Sequence, residues 1–204
     1  MGNQHYNQGD MGNRGKAKAG YEYLLAYKVT VPIYDYVVKF SQRCKSPDHA
    51  DFPDLSSPRS HDQIIQAARS SMSNIVEGSK HQSLKGYIYL SGIARGSLDE
   101  LLKDLHAYAR QNHMLIWPRE RCMKEIGKIG EIWEIIRRTP VLPDHPNFPD
   151  LPDDPEIALN LLITLVHQAG YLLDKLISSL KEKHKHEGGL TEKLYQERRS
   201  YRGY

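Results

Sequence analysis

The chain has 204 residues, 39% hydrophobic and 26% charged, with a formal net charge of +3. That balance excludes a wholly disordered chain and suits a globular protein with one sizeable core. Only two cysteines occur, Cys44 and Cys122, and their spacing indicates neither a disulfide framework nor a structural zinc site, so no metal or cofactor is expected.

Residues 1–20 are rich in Gly and Asn, lack periodicity, and are expected to form a disordered tail. A first helix is predicted from Tyr21 to Arg43, with Leu24, Tyr27, Val31, Tyr34 and Val38 on its apolar face and a kink, or a new start capped by Thr30, at Pro32. Three prolines mark 45–58 as a loop. A second helix is predicted to start at Ser60, with Gln63 completing a capping box, and to stop at Gly78. Its apolar face reads Ile64, Ile65, Ala68, Met72, Ile75 and Val76. The third helix opens near Ser83 and runs past Tyr108, striped by Leu84, Tyr87, Ile88, Ser91, Ala94, Leu98, Leu101, Leu102 and Leu105. Within it, Gly92 and Gly96 fall four apart, a spacing that lets another backbone approach closely.

Residues 118–138 read as one short amphipathic helix burying Met123, Ile126, Ile129, Trp133 and Ile136. The run "TPVLPDHPNFPDLPDDP" can form neither helix nor ladder; a strap packed on its own protein is favoured over a ligand for a proline-binding module. The last long helix starts at Asp153 or Asp154 with Pro155 in its first turn. Its stripe from Leu161 to Leu180 is wide enough to meet two neighbours or another subunit. "LTEKLYQERRSYRGY" adds a short helix and a basic tail. The fold expected is all-α: an antiparallel up-and-down four-helix bundle with an inserted short helix, a proline-rich strap and a C-terminal helical extension. Its pieces are 1–20 (tail), 21–117 (helices one to three), 118–153 (insert and linker), 154–187 (fourth helix) and 188–204 (suffix helix and basic tail). No signal-like or membrane-length segment is read, so a cytoplasmic protein without membrane contact is expected.

Charge is unevenly placed. Thr139 to Glu156 holds five acids and no Lys or Arg, whereas from Lys181 onward seven Lys/Arg face four acids. Of the aromatics, 13 are Tyr against 3 Phe and 2 Trp, a bias that suits half-wet surfaces such as subunit contacts or nucleic-acid faces. No nucleophile elbow, HExxH, P-loop or GxGxxG occurs. The His184–Glu187 run reads as a polar helix end rather than a metal site. None of Arg69, Arg95 and Arg110 has a His six residues on, the spacing of one helical nuclease class. Asn74 and Glu77 are expected to bond across to Ser97 or to nearby backbone, and a buried Glu77 to pair with Arg95.

Ser71, Asn74, Ile75, Glu77 and Gly78, with Val76 in place of Ala, resemble the S-x-x-N-I-A-E-G pattern of the four-helix-bundle family of 23S rRNA intervening-sequence proteins. Ala94, Gly96, Ser97, Leu98, Glu100 and Leu101 resemble that family's A-x-G-S-L-x-E-L. This chain departs by inserting Pro118–Asp154 before the fourth helix, which resembles a subgroup with a four-helix-bundle suffix domain. The resemblance implies a homo-oligomer, a pentamer in characterised relatives. One of these, the accessory protein of diversity-generating retroelements, binds nucleic acid through basic surface and partners a reverse transcriptase. The motif residues Asn74, Glu77, Gly78, Gly96, Ser97 and Glu100 are structural in that reading. Candidate phosphate contacts are Arg69, Lys80, Lys85, Arg95, Arg110, Arg198, Arg199 and Arg202. The expected function is a non-enzymatic accessory factor binding nucleic acid non-specifically; the alternative is a structural or protein-interaction module.

Overall fold

Three helices, α2 (Pro58–Lys80), α3 (Leu84–Gln111) and α6 (Pro155–Glu187), begin where short polar side chains accept the first free amides. Ser57 Oγ accepts from the Ser60 amide (3.2 Å), Ser83 Oγ from Gly86 (3.1 Å) and an Asp154 carboxylate oxygen from Ile157 (2.8 Å). In a computed structural model that describes residues 19–55 and 57–203, these caps and others delimit α1 (Leu25–Lys45), α2 (Pro58–Lys80), α3 (Leu84–Gln111), α4 (Arg119–Glu125), α5 (Gly127–Arg138), α6 (Pro155–Glu187) and α7 (Leu190–Arg202). Short 3-10 turns cover Gly20–Tyr23 and Pro47–His49. The chain is all-helical, with no strand among the described residues. Most of the tail expected over 1–20 lies outside the described residues.

α2 packs against α1 and α3, and α6 against α3 and α1; α5 sits on α1 and α4 on α6. The shared core runs through Val29, Ile33, Phe40, Ile64, Ile75, Leu98, Leu105, Ile129, Leu161 and Leu165. From Ala158 to Val166 every residue of α6 is buried, because helices press on it from more than one side. The reading that no segment reaches membrane length needs correction. The stretch Pro155–Arg202 contains a window apolar enough to span a bilayer by length and composition, but 67% of that window is buried inside the protein. A core helix passes the same test.

Several boundaries and faces differ from expectation. α2 starts at Ser57, not Ser60, because Pro58 fits the first helical position, where no amide partner is needed. Gly78 does not end it; α2 continues to Lys80 and closes at His81. The stripe α1 buries is Ala26, Val29, Ile33, Val37, Phe40 and Cys44. The predicted Leu24–Val38 series lies beside it and is half-buried. α1 runs through Pro32 with no new start at Thr30, whose hydroxyl donates back to the Tyr27 carbonyl (2.7 Å). The expected 118–138 helix breaks at Ile126, and its buried side is Cys122, Ile126, Ile129, Ile132 and Ile136, with Met123 exposed and Trp133 half-buried.

The glycines also redistribute. A Cβ on Gly78 would lie 2.8 Å from Tyr87 Cδ2 and 3.2 Å from Leu90 Cβ, so α3 approaches α2 here. Gly92 and Gly96 are exposed, with nothing within 4 Å of an added Cβ. Within one chain they form no helix–helix notch.

The strap between α5 and α6 is pinned along its length, mostly by α1. Lys28, 4% exposed, donates to the carbonyls of Ile136 (2.7 Å) and Thr139 (3.0 Å). Tyr36 Oη donates to the Pro149 carbonyl (2.5 Å), and Arg43 to that of Pro152 (2.5 Å) while also pairing with Asp153 (3.2 Å). Lys39 bonds the Asp150 carboxylate (3.1 Å) and holds it below the usual range; Lys128 donates to the Asp150 carbonyl (2.6 Å). Two of the segment's five acids, Asp150 and Asp153, are thereby paired with cations of α1.

Candidate nucleic-acid interface

The motif residues build a contact between helices. Asn74 Nδ2 donates to the Ser70 carbonyl (2.8 Å) and to Ser70 Oγ (3.1 Å); Ser70 Oγ lies 2.9 Å from Ser97 Oγ, which donates to the Ile93 carbonyl (3.1 Å). Since Ser97 spends its proton on Ile93, Ser70 is the donor between the two serines. One directed chain of hydrogen bonds therefore ties α2 to α3. The expected bond from Asn74 to Ser97 is not made directly: Asn74 bonds Ser70 of its own helix, and Ser70 makes the link to Ser97.

Glu77 is exposed, so the expectation of a buried carboxylate needing Arg95 is wrong. It lines a shallow cleft of about 350 Å³ with Tyr27, Met72, Ser73, Val76 and Lys80. Arg95 is engaged elsewhere: Nη1 bonds Asp99 and Nε bonds Asp174 (3.2 Å). A Cβ on Gly170 would stand 3.3 Å from the Arg95 guanidinium carbon, so that glycine admits the side chain against α6. Glu100 and Gly96 face solvent.

Sequence reasoning missed a Ser–His–Asp row. Ser41 Oγ lies 2.9 Å from His61 Nδ1, and His61 Nε2 lies 2.8 Å from an Asp54 carboxylate oxygen. The three residues come from α1, α2 and the loop between them, so no local motif announces the row. Ser41 and His61 are each 2% exposed. A nucleophile must meet its substrate, and this hydroxyl is sealed; the row fastens the loop to the helices. Among the described residues no group of three His, Cys, Asp or Glu could hold a metal ion.

The predicted phosphate contacts do not form one patch. Arg69 is exposed on α2; Lys80, over the Tyr21 ring at 5.7 Å, and Lys85 flank the α2–α3 turn. Arg110 lies at the far end of α3, beside His106, whose imidazole is held below its usual range by burial first, then by His167 and Arg110. Arg198, Arg199 and Arg202 converge. With Tyr195 they occupy one side of α7 by helical spacing. No residue of α7 is buried, and none of these three arginines joins an ion pair among the described residues. This face can meet a polyanion without first giving up a carboxylate.

No curated protein and no solved structure matches the chain. The sequence model of the 23S rRNA-intervening sequence protein family does, over residues 31–133. That span is just over half of the chain and takes in α1 from its second turn, all of α2, α3 and α4, and the first part of α5. With both motif helices inside it, the chain belongs to the 23S rRNA-intervening sequence protein family.

Proposed function

We propose that this protein is a non-enzymatic, oligomeric accessory factor, built on an antiparallel up-and-down four-helix bundle, that binds nucleic acid without sequence preference. The bundle reading is supported by contacts whose residue numbers run oppositely in neighbouring helices. Ser41 meets His61 while Tyr27 nears Val76; Ser70 meets Ser97 while Gly78 meets Tyr87; Arg95 meets Asp174 while His106 nears His167. The observation that carries the binding reading is the α7 face of Tyr195, Arg198, Arg199 and Arg202, bare and without internal carboxylate partners. Arginines hold phosphates bidentately, and a neighbouring aromatic ring offers a base something to stack on. Arg69, Lys80, Lys85 and Arg110 add diffuse charge; Arg95, clamped by two aspartates, adds little. α7 stands as a suffix to the bundle, and a nucleic-acid-handling enzyme such as a reverse transcriptase is the kind of partner the resemblance implies.

The test is retention on an unrelated duplex across a salt series. The logarithm of affinity should fall linearly with that of salt, and replacing Arg198, Arg199 and Arg202 by Gln should flatten the slope by about 2 to 3 units, near one per lost phosphate. Salt-indifferent retention, or an unchanged slope in the triple variant, would overturn the reading in favour of a purely structural module.

A further inference from the structure

Among the described residues α7 buries no side chain against another helix. Thirteen residues make a marginal helix alone in water, and none of those in α7 is buried. Leu190, Leu194 and Tyr201 recur at helical spacing along one side and are 39%, 54% and 94% exposed. That side adjoins Arg198, four residues after Leu194 and three before Tyr201, but lies a quarter turn or more from Tyr195, Arg199 and Arg202, so covering it leaves those three open. α3 carries a bare face of similar length. Tyr89 is 69% and Ile93 37% exposed, with Gly92 and Gly96 between and beyond them under open space. This face points away from the side of α3 that buries Ala94, Leu98, Leu101 and Leu105.

We infer that α7 of one copy of this chain docks antiparallel along Tyr89–Gly96 of α3 in a second copy. The inference rests on the assembly part of the proposed function and names the contact through which it forms. In the antiparallel register Leu190 lies over Gly96, Leu194 fits beside Gly92 and Ile93, and Tyr201 passes Tyr89 toward Lys85. Glu197, the one charge within the α7 stripe, then comes within a turn of Lys85. Neither joins an ion pair among the described residues. A 13-residue helix is about 20 Å long. If each contact covers on the order of 400 Å² per partner, two copies that each give and receive one helix bury about 1,600 Å², the size of a stable interface. A second copy is the occupant because α7, though joined to its own bundle through Gly188 and Gly189, keeps its stripe bare among the described residues.

Full-length Gly96→Cys protein carrying an affinity tag is mixed with untagged full-length Leu190→Cys protein and mildly oxidised. Cys44 and Cys122 are buried and do not compete. A disulfide-linked pair of two chains is expected, with none when Gly130→Cys on exposed α5 replaces Gly96→Cys. Light scattering should give the wild type a mass that is a multiple of 23.4 kDa. Leu194→Glu together with Tyr201→Glu should fall to one subunit while keeping its helical circular dichroism. An oligomeric mass with no cross-link, or a link that forms only within one chain carrying both cysteines, overturns this contact and leaves assembly standing. A single-subunit mass at every concentration overturns both.

Discussion

The first half of α6 and the whole of α7 are both leucine-bearing helices joined in one C-terminal run, and they meet opposite fates. From Ala158 to Val166 each side chain is buried; from Leu190 to Arg202 none is. Leucine content alone does not decide burial. α6 is enclosed because α1 and α3 each press an apolar stripe on it and α4 adds a smaller contact, whereas no residue of α7 is buried among the described residues. The lesson is that α6 contributes to stability through packing, and α7 is free to contribute through its surface.

Stability measurements can break that contrast. Leu165→Ala in α6 should lower unfolding free energy by about 2 to 5 kcal/mol, as buried leucine truncations do. Leu194→Ala in α7 should change it by less than about 0.5 kcal/mol in dilute solution. Urea unfolding checks both, and equal losses would mean that α7 packs on its own body. Next in size is Lys28→Met, which strands the Ile136 and Thr139 carbonyls and should cost about 1 to 3 kcal/mol. The same urea midpoints would report a neutral substitution if those bonds were dispensable.

Glycines sharpen the contrast on a smaller scale. Gly78→Ala forces Tyr87 to move and should destabilise by about 1 to 3 kcal/mol, whereas Gly92→Ala, with open space above it, should stabilise the subunit by up to about 1 kcal/mol. Thermal melts of the two variants should therefore shift in opposite directions. The smallest effect is the one expected from alkali below pH 10. Burial pushes the Cys44 thiol from 9.0 up to about 11, and raises Tyr36 and Tyr108 above the ordinary 10.0. A group whose pKa is raised in the fold keeps its full stabilisation below its unfolded value and loses it as pH climbs through the folded one. Stability from these groups should thus hold to about pH 9, decline gently as the unfolded thiol ionises first, and fall faster above pH 10. Cys44→Ala should remove the gentle part, measurable as flat urea midpoints between pH 9 and 10.

Helical periodicity made most of the fold legible. The Ser83 cap, the Asp154 cap with Pro155, and the broad α6 stripe all stand where side-chain spacing puts them. What misled was local chemistry whose outcome depends on a neighbour. Gly78 looks like a terminator in isolation and serves as a point of close approach only because Tyr87 lies across from it. Gly92 and Gly96 look like a packing notch, yet no helix among the described residues reaches them. α1 offers two adjacent stripes at helical spacing, and only the position of the other helices decides which is covered. The Ser41–His61–Asp54 row and the Gly170 seat for Arg95 join residues far apart in sequence, so no spacing rule could have found them. The α7 arginines were legible as a basic tail; their freedom from carboxylates was not.

The strap has a consequence for how the folded protein meets a protease. It is proline-rich and without helix, the sort of segment usually cut first, yet side chains from α1 and α5 grip its carbonyls at Thr139, Pro149, Asp150 and Pro152. A protease of broad specificity should trim α7 well before it opens the strap, which holds no Lys or Arg for trypsin to cut. A segment that lacks regular structure can be among the last to yield.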